Sequence, residues 1–253
     1  MGDKLIQEIW LGDCLELMKN IPDKSVDMIL CDLPYGTTAC KWDSIIDLNL
    51  LWESYNRVIS KNGAIILFGM QPFTTKLIYS NISKYKYSWI WKKSKASNFP
   101  HAPNMPLKIC EDICVFSNGV VGHVSQAKDK RVPYNPQGIR EGTTIVKQNP
   151  NTSELKYHRD SQSQHKDGYK CKAEGYPTTI LDFKSENGLH PTQKPVSICE
   201  YLIKTYTDEG DLVLDNCAGS GSTLVAAKNL NRQFIGIEKE KEYYDICVQR
   251  LEK

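Results

Sequence analysis

The sequence predicts an open, largely parallel α/β sheet interrupted by one irregular insertion, and three observations carry that reading. Two short apolar runs, Val26-Asp27-Met28-Ile29-Leu30-Cys31 and Leu212-Val213-Leu214, read as strands buried on both faces. Each is followed at once by groups that can serve a ligand, and in open α/β folds ligands sit beyond the carboxyl ends of the strands. From Leu212 to Leu251 strand and helix signals alternate without a break, whereas residues 120–188 are rich in Gly, Pro, Ser, Asn and Gln with poor hydrophobic periodicity.

Taken in order, residues 7–11 read as an edge strand, 14–20 as a short helix and 26–31 as the first central strand. Residues 48–60 are amphipathic, with Leu48, Leu51, Trp52, Tyr55 and Ile59 at helical spacing and Gly63 as a stop signal. Residues 64–68 form a buried strand, 73–81 a helix, and 85–91 and 113–116 two further strands. The stretch 120–188 reads as an irregular segment packed on the main domain, since too few of its residues could build a core. A helix over 197–206 follows, then the strand at 212–214, a Gly-rich turn, a helix over 224–229, a strand over 234–238 and a final helix ending near 251. Tyr243 and Tyr244 are expected to pack that helix onto the sheet.

The element Asp32-Leu33-Pro34-Tyr35 leaves the first central strand. A carboxylate, a Pro-fixed turn with its preceding carbonyl, and an aromatic face suit an exocyclic amine on a flat ring. If Asp32 and the Leu33 carbonyl each accept one N–H, the nitrogen lone pair is freed for attack, while Tyr35 stacks on the ring. Alone, the same residues also describe an Asp that caps a turn and a Tyr that packs in a core.

The second element is Asp215-Asn216-Cys217-Ala218-Gly219-Ser220-Gly221-Ser222-Thr223. Gly219 and Gly221 let the backbone pass close to a ligand, and the following helix offers free N–H groups. Leu224 stands where a dinucleotide fingerprint has its third glycine, which argues against a pyrophosphate. Glu238 ends the next strand about 20 residues on, where an acid can accept both ribose hydroxyls. A nucleoside without a pyrophosphate points to S-adenosylmethionine; a tight turn followed by a solvated Glu is the plainer alternative.

The composition fits an intracellular enzyme: 253 residues, 40% hydrophobic, can bury one large α/β core with a smaller appendage. No apolar run approaches the ~18 residues of a membrane span, and the amino terminus carries no signal-peptide pattern. The nine cysteines are scattered with no C-x-x-C pair, as expected of reduced thiols. Cys110 and Cys114 lack a second ligand pair at finger-like spacing, so no metal is expected. Net charge is only +2, but residues 54–110 hold nine Lys or Arg and no Asp or Glu. Their densest part, with Lys92, Lys93, Lys95, Ser97 and Asn98, reads as a strand emptying into a basic loop that could hold DNA phosphates or simply be solvated. Residues 120–188 carry 11 basic against 8 acidic residues, so charge alone does not mark nucleic-acid contact there. Arg131, Asn135, Gln137, Arg140, Arg159, Gln162 and Gln164 are of the types that read base edges.

With these motifs in view, the chain resembles the DNA amino-methyltransferases, which methylate adenine N6 or cytosine N4. Asp32-Leu33-Pro34-Tyr35 is similar to their catalytic D/N/S-P-P-Y/F element, with Leu33 for the first proline. Residues 215–223 are similar to the D-P-F-x-G-S-G-T-T cofactor element, with Asn216 and Cys217 for Pro-Phe. His190-Pro191-Thr192-Gln193-Lys194-Pro195 resembles the H-P-T-x-K-P element, and Gly12-Asp13-Cys14 the short acidic motif that reads the cofactor's adenine. The catalytic motif precedes the cofactor motif, as in the beta group. The resemblance implies a Rossmann-like, circularly permuted methyltransferase fold, with residues 1–119 as catalytic half, 120–188 as target-recognition segment and 189–253 as cofactor half. It implies S-adenosylmethionine as cofactor, held by Asp13, Cys14, Asp32, His190, Thr192, Lys194, Asp215, Cys217–Thr223 and Glu238. Double-stranded DNA is the implied partner, adenine N6 the favoured target from the Asp at the motif's first position, and cytosine N4, RNA adenine or a silent DNA-binding relative the alternatives. A homodimer and a cognate restriction endonuclease are further partners of such enzymes, which work in the cytoplasm of prokaryotes or are phage-encoded.

Overall fold

The computed structural model describes residues 6–36, 44–123, 127–141, 145–146, 169–170, 173–186, 188 and 193–252. In chain order the strands are β1 (Gln7–Leu11), β2 (Val26–Cys31), β3 (Ile59–Gly69), β4 (Tyr85–Ser97), β5 (Lys108–Ser117), β6 (Arg140–Glu141), β7 (Ile145–Val146), β8 (Tyr169–Lys170), β9 (Ala173–Glu174), β10 (Ile180–Asp182), β11 (Leu212–Asp215) and β12 (Gln233–Glu238). The helices of interest are α1 (Cys14–Leu17), α2 (Leu48–Val58), α3 (Phe73–Ser80), α4 (Val196–Tyr206), α5 (Ser222–Asn229) and α6 (Lys241–Leu251). Contacts divide the chain into a larger unit, up to Asn135 and from Thr179 onward, and a smaller one between Pro136 and Thr178.

The larger unit holds an eight-stranded sheet in the order β1-β12-β11-β2-β3-β5-β4-β10. Strands β1, β12, β11, β2 and β3 run parallel, and β5 is antiparallel to both β3 and β4. Period-two alternation splits the central strands between two cores. Ile29 and Cys31 of β2 and Leu212 and Leu214 of β11 face one layer, with Met18, Leu51, Trp52, Tyr55 and Leu77. Met28, Leu30 and Val213 face the other, with Ile198, Leu202, Leu224 and Ala227. Because both faces are covered, these strands read in sequence as unbroken apolar runs.

Several sequence expectations are corrected. Helix α2 ends at Val58 and β3 starts at Ile59 without a break, so Ile59 is a strand residue and Gly63 is not a helix stop. Gly63 lies where the β2–β3 register shifts, and a Cβ on it would stand 2.7 Å from the Asp27 carbonyl oxygen. Close backbone approach at a bulge is the reason for that glycine. The supposed basic loop after Trp91 is strand: β4 continues to Ser97 and β5 begins at Lys108, a long hairpin. Within 120–188, β10 pairs with β4, and Val132 is buried in the sheet's second core, so those residues belong to the larger unit. Tyr243 and Tyr244 are only half-buried; Cys247 is the buried residue of α6, and it sits under Gly221.

Among its described residues the smaller unit contains two short antiparallel pairs, β6 with β9 and β7 with β8, with Arg140 ion-paired to Glu174 at 3.9 Å. Among the described residues, no helix is long and apolar enough to cross a membrane.

Leu214 is fully buried between β2 and β12. Leu214→Ala is expected to cost about 2–5 kcal/mol, transfer plus cavity. Urea unfolding at pH 7.5 checks it; a loss below about 1 kcal/mol would mean the sheet centre repacks freely.

Candidate active site

The parallel strands deliver their following residues to one edge, and a cavity of about 290 Å³ opens there. Gly12, Asp13 and Cys14 after β1, Asp32 to Tyr35 after β2, Asp215 at the end of β11 with the turn as far as Ser220, Ser222 and Thr223 of α5, and Glu238 at the end of β12 with Lys239 and Glu240 line it. Lys194 also lines it, from the segment entering α4, as do Ser44 to Asp47 before α2, Gln193 and Tyr243. The structure therefore brings the two sequence motifs into one crevice. Gly221 does not face it: its left-handed φ of +79° carries the chain into α5, with Cys247 beneath. His190 and Thr192 lie outside the described residues, as do Arg159, Gln162 and Gln164.

At the Gly-rich end, Glu238 anchors the turn. Its Oε2 accepts from the Gly219 N–H at 2.7 Å and its Oε1 from the Glu240 N–H at 2.8 Å, leaving lone pairs on both oxygens. Burial raises the Glu238 carboxyl, against those N–H bonds. Gly219 takes a left-handed φ of +53°, and Arg250 of α6 locks the turn by donating to the Ser220 carbonyl at 2.6 Å. Asp13 caps α1, accepting from the Leu15 N–H at 3.0 Å. The thiols of Cys14 and Cys217 line the cavity and interact with each other, and Cys217 also with the buried Cys31; Cys14 is raised by its hydrogen bond with Cys217 and by burial. Asn216 accepts from the buried Tyr55 hydroxyl at 2.5 Å.

The other end is ionic. Asp32 Oδ1 accepts from the Tyr35 hydroxyl at 2.6 Å, and Oδ2 is held by the Lys194 ammonium. The same ammonium lies 3.3 Å from Glu111 Oε2, and Lys93 holds Glu111 Oε1. Tyr35 stacks on Phe73 with centroids 5.1 Å apart, and Lys194 sits over the Tyr35 and Phe68 rings. Burial raises the Asp32 carboxyl and Glu111 adds to this, while Lys194 opposes both. For Glu111 burial also pushes upward, but Lys194 and Lys93 together hold it below the usual range. Lys194 thus contacts the catalytic-motif acid. Glu111 was missed in sequence; its one signal was that it is the acid ending the acid-free run of 54–110. On the hairpin, Lys92 pairs with Asp182 at 3.0 Å and is half-exposed, Lys95 and Ser97 are exposed, and Asn98 takes a left-handed φ of 74°. Lys93 instead turns inward, its side chain 15% exposed.

Comparison with known proteins agrees with this geometry. The sequence model of a DNA methylase family, the N6 and N4 methyltransferases, matches residues 26–249. The chain is 43% identical over 266 residues to the Type II methyltransferase M2.LlaDCHI of Lactococcus lactis subsp. cremoris, spanning 96% of this chain and 88% of that protein. It is 26% identical over 267 residues to the Type II methyltransferase M.HpaI of Haemophilus parainfluenzae, spanning 97% and 74%. In fold it is similar to the M1.HpyAVI–SAM complex, with a TM-score of 0.63, 23% identity and coverage of 97% and 99%. It is also similar to the cytosine-N4-specific PvuII DNA methyltransferase, with a TM-score of 0.67, 16% identity and coverage of 96% and 85%. These likenesses establish the expected α/β methyltransferase fold.

Burial pushes the Asp215 carboxyl up to about 7, against hydrogen bonds from Thr223 and the Cys217 N–H. The folded chain then holds that proton more tightly than the unfolded chain, so stability falls as pH rises from about 4 to about 7 and is flat above. Asp215→Asn removes this term. The difference in urea-unfolding free energy between pH 5 and pH 8 is expected to shrink in the variant, and an unchanged difference would place the titration elsewhere.

Proposed function

The chain belongs to the DNA methylase family of N6 and N4 methyltransferases, and we propose that it is a site-specific modification enzyme that moves a methyl group from S-adenosylmethionine to the N6 amine of an adenine flipped out of double-stranded DNA. The observation that carries this reading is the meeting, in one cavity, of Asp32 with Tyr35 at one end and Glu238 with the Gly219 turn at the other.

The residues fit the cofactor. A cavity of about 290 Å³ is of small-molecule size. Glu238 has lone pairs left for ribose hydroxyls, and Asp13 and Cys14 stand at the rim where an adenine amine would be read. When bound, S-adenosylmethionine supplies an electrophilic methyl group on a sulfonium. Asp32 and the Leu33 carbonyl would accept the two N–H groups of the target amine, so its lone pair would no longer be shared with the ring and could take the methyl group, the pair of the broken S–CH3 bond staying on the sulfur. Tyr35, braced by Phe73, offers the face on which the flipped base stacks, worth about 1–3 kcal/mol against the cost of unstacking. The proton leaving the methylated nitrogen goes to Asp32, whose carboxyl burial raises, and then to solvent. Orientation and fixed charge carry the rate without a covalent enzyme intermediate.

Of residues 120–188, the part outside the main sheet, Pro136 to Thr178, is read as the target-recognition segment, and Lys92, Lys95, Ser97 and Asn98 of the β4–β5 hairpin as meeting phosphate. Relatives named Type II methyltransferases support pairing with a cognate restriction endonuclease, and the reading as an enzyme acting on cellular DNA carries with it a cytoplasmic location. Adenine is favoured by Asp32 at the first motif position.

Incubation with methyl-labelled S-adenosylmethionine and unmethylated duplex DNA, followed by digestion to nucleosides, is expected to give labelled N6-methyladenine. N4-methylcytosine would correct the base, and label on RNA alone would overturn the DNA reading. Asp32→Ala is expected to lower transfer by at least about 10²-fold while cofactor binding by calorimetry stays within about threefold. Loss of cofactor binding in that variant would sink the assignment of Asp32 to the base.

A further inference from the structure

Both carboxylate oxygens of Asp32 already carry a partner before any base arrives. The Tyr35 hydroxyl occupies Oδ1 and the Lys194 ammonium occupies Oδ2. An incoming amine that donates to Oδ2 competes with Lys194 for that oxygen and draws the ammonium away from it. Lys194 cannot then be left alone, because its side chain is only 8% exposed and an ammonium stripped of its partner in such a place is strongly disfavoured.

A second acceptor stands ready. Glu111 Oε2 lies 3.3 Å from the same ammonium, its side chain is 7% exposed, and this buried oxygen takes no hydrogen bond of normal geometry. A buried carboxylate oxygen with open lone pairs calls for an explanation. The other oxygen, Oε1, is held by Lys93 of the β4–β5 hairpin. Lys194 and Lys93 together keep Glu111 ionised, and the ammonium makes its hydrogen bond to Asp32 while standing 3.3 Å from Glu111.

We propose that Glu111 is a positioning residue that receives the Lys194 ammonium when the substrate amine takes its place on Asp32. The inference rests on Asp32 as the group that holds the base. Four charges, Lys93, Glu111, Lys194 and Asp32, alternate in sign and sum to zero, and moving Lys194 between the two carboxylates keeps that balance. It leaves Asp32 ionised beside a nitrogen that becomes cationic during transfer, which is where a fixed negative charge helps most.

The test compares the unaltered chain, Glu111→Gln, Lys194→Met and the double variant, by kcat and KM on duplex DNA, cofactor binding by calorimetry, and thermal melting. Glu111→Gln strands Lys194 on Asp32, so kcat is expected to fall about 10- to 100-fold with cofactor binding unchanged. Adding Lys194→Met removes the stranded cation and is expected to recover at least about tenfold of that loss. A kcat for Glu111→Gln within about twofold of the unaltered chain, or losses that simply multiply in the double variant, overturns the proposal. Should Glu111→Gln fail to fold, the comparison of Lys194→Met with the double variant decides: equal or higher activity in the double supports it, and lower activity or none in either overturns it. Absence of transfer by the unaltered chain would end the functional reading together with this inference, whereas transfer with an insensitive Glu111→Gln ends this inference alone.

Discussion

The parallel pairing of β11 with β2 is the constraint on which the site depends. Val213 lies beside Met28 and Leu214 beside Ile29, so two strands far apart in the chain end side by side. From β11 the sheet order runs outward through β12 to β1, and from β2 it runs the other way to β3, so the connections diverge and leave a crevice above the junction. Asp215 and Asp32 are the first polar residues past that junction. Side chains brace the junction: Asp27 of β2 accepts from the Leu212 N–H at 3.0 Å, and Tyr55 of α2 donates to Asn216, just past β11, at 2.5 Å. Both faces of the two strands are dry, which makes a slipped register expensive, because every side chain would change core.

Burying this edge gives it an unusual electrostatic character. Desolvation raises the carboxyls of Asp32, Asp215 and Glu238 together, because each sits where water is scarce. Lys194 offsets Asp32, and Lys239 pairs with Asp13 only at the exposed rim, at 3.7 Å, where an ion pair contributes little. The lining between them combines apolar side chains with thiols, backbone N–H groups and acids. Such a surface favours a ligand that brings positive charge at one point and hydroxyl donors at another, and it disfavours a phosphate. That agrees with what the Gly-rich turn lacks.

How much of this was legible in the sequence follows from the range of the interactions involved. The central strands were readable because burial on both faces turns them into plain apolar runs, and Asp32, Asp215, Glu238 and the glycines were readable because they follow those runs directly. Gly63 was misread as a helix stop, since nothing local distinguishes such a glycine from one that lets β3 approach the Asp27 carbonyl across a bulge. The extension of β4 and β5 was hidden by lysines, which keep a half-exposed hairpin soluble and so imitate a loop. Glu111 was invisible for a deeper reason: its partners Lys93 and Lys194 come from a neighbouring strand and from the entrance to α4. Local pattern shows which residues are buried, but only the assembled sheet shows which buried charges meet.

The missing third glycine illustrates how a motif can be relocated rather than lost. In a dinucleotide-binding turn that glycine lets the helix settle closely against the strand. Here Leu224 occupies the position, fully buried in α5, and the needed space is supplied from the opposite side by Gly236 in β12. A Cβ on Gly236 would stand 2.2 Å from Leu224 Cδ1, closer than any two carbon atoms can pack. The close approach of helix to strand is therefore preserved with the small residue on the strand and the large one on the helix. Gly219 and Gly221 remain where the backbone needs positive φ, because no exchange with a neighbouring element can supply a conformation. Space can be provided from either side of a contact, whereas a left-handed turn must be made by the residue that occupies it, and this asymmetry explains which glycines the turn kept.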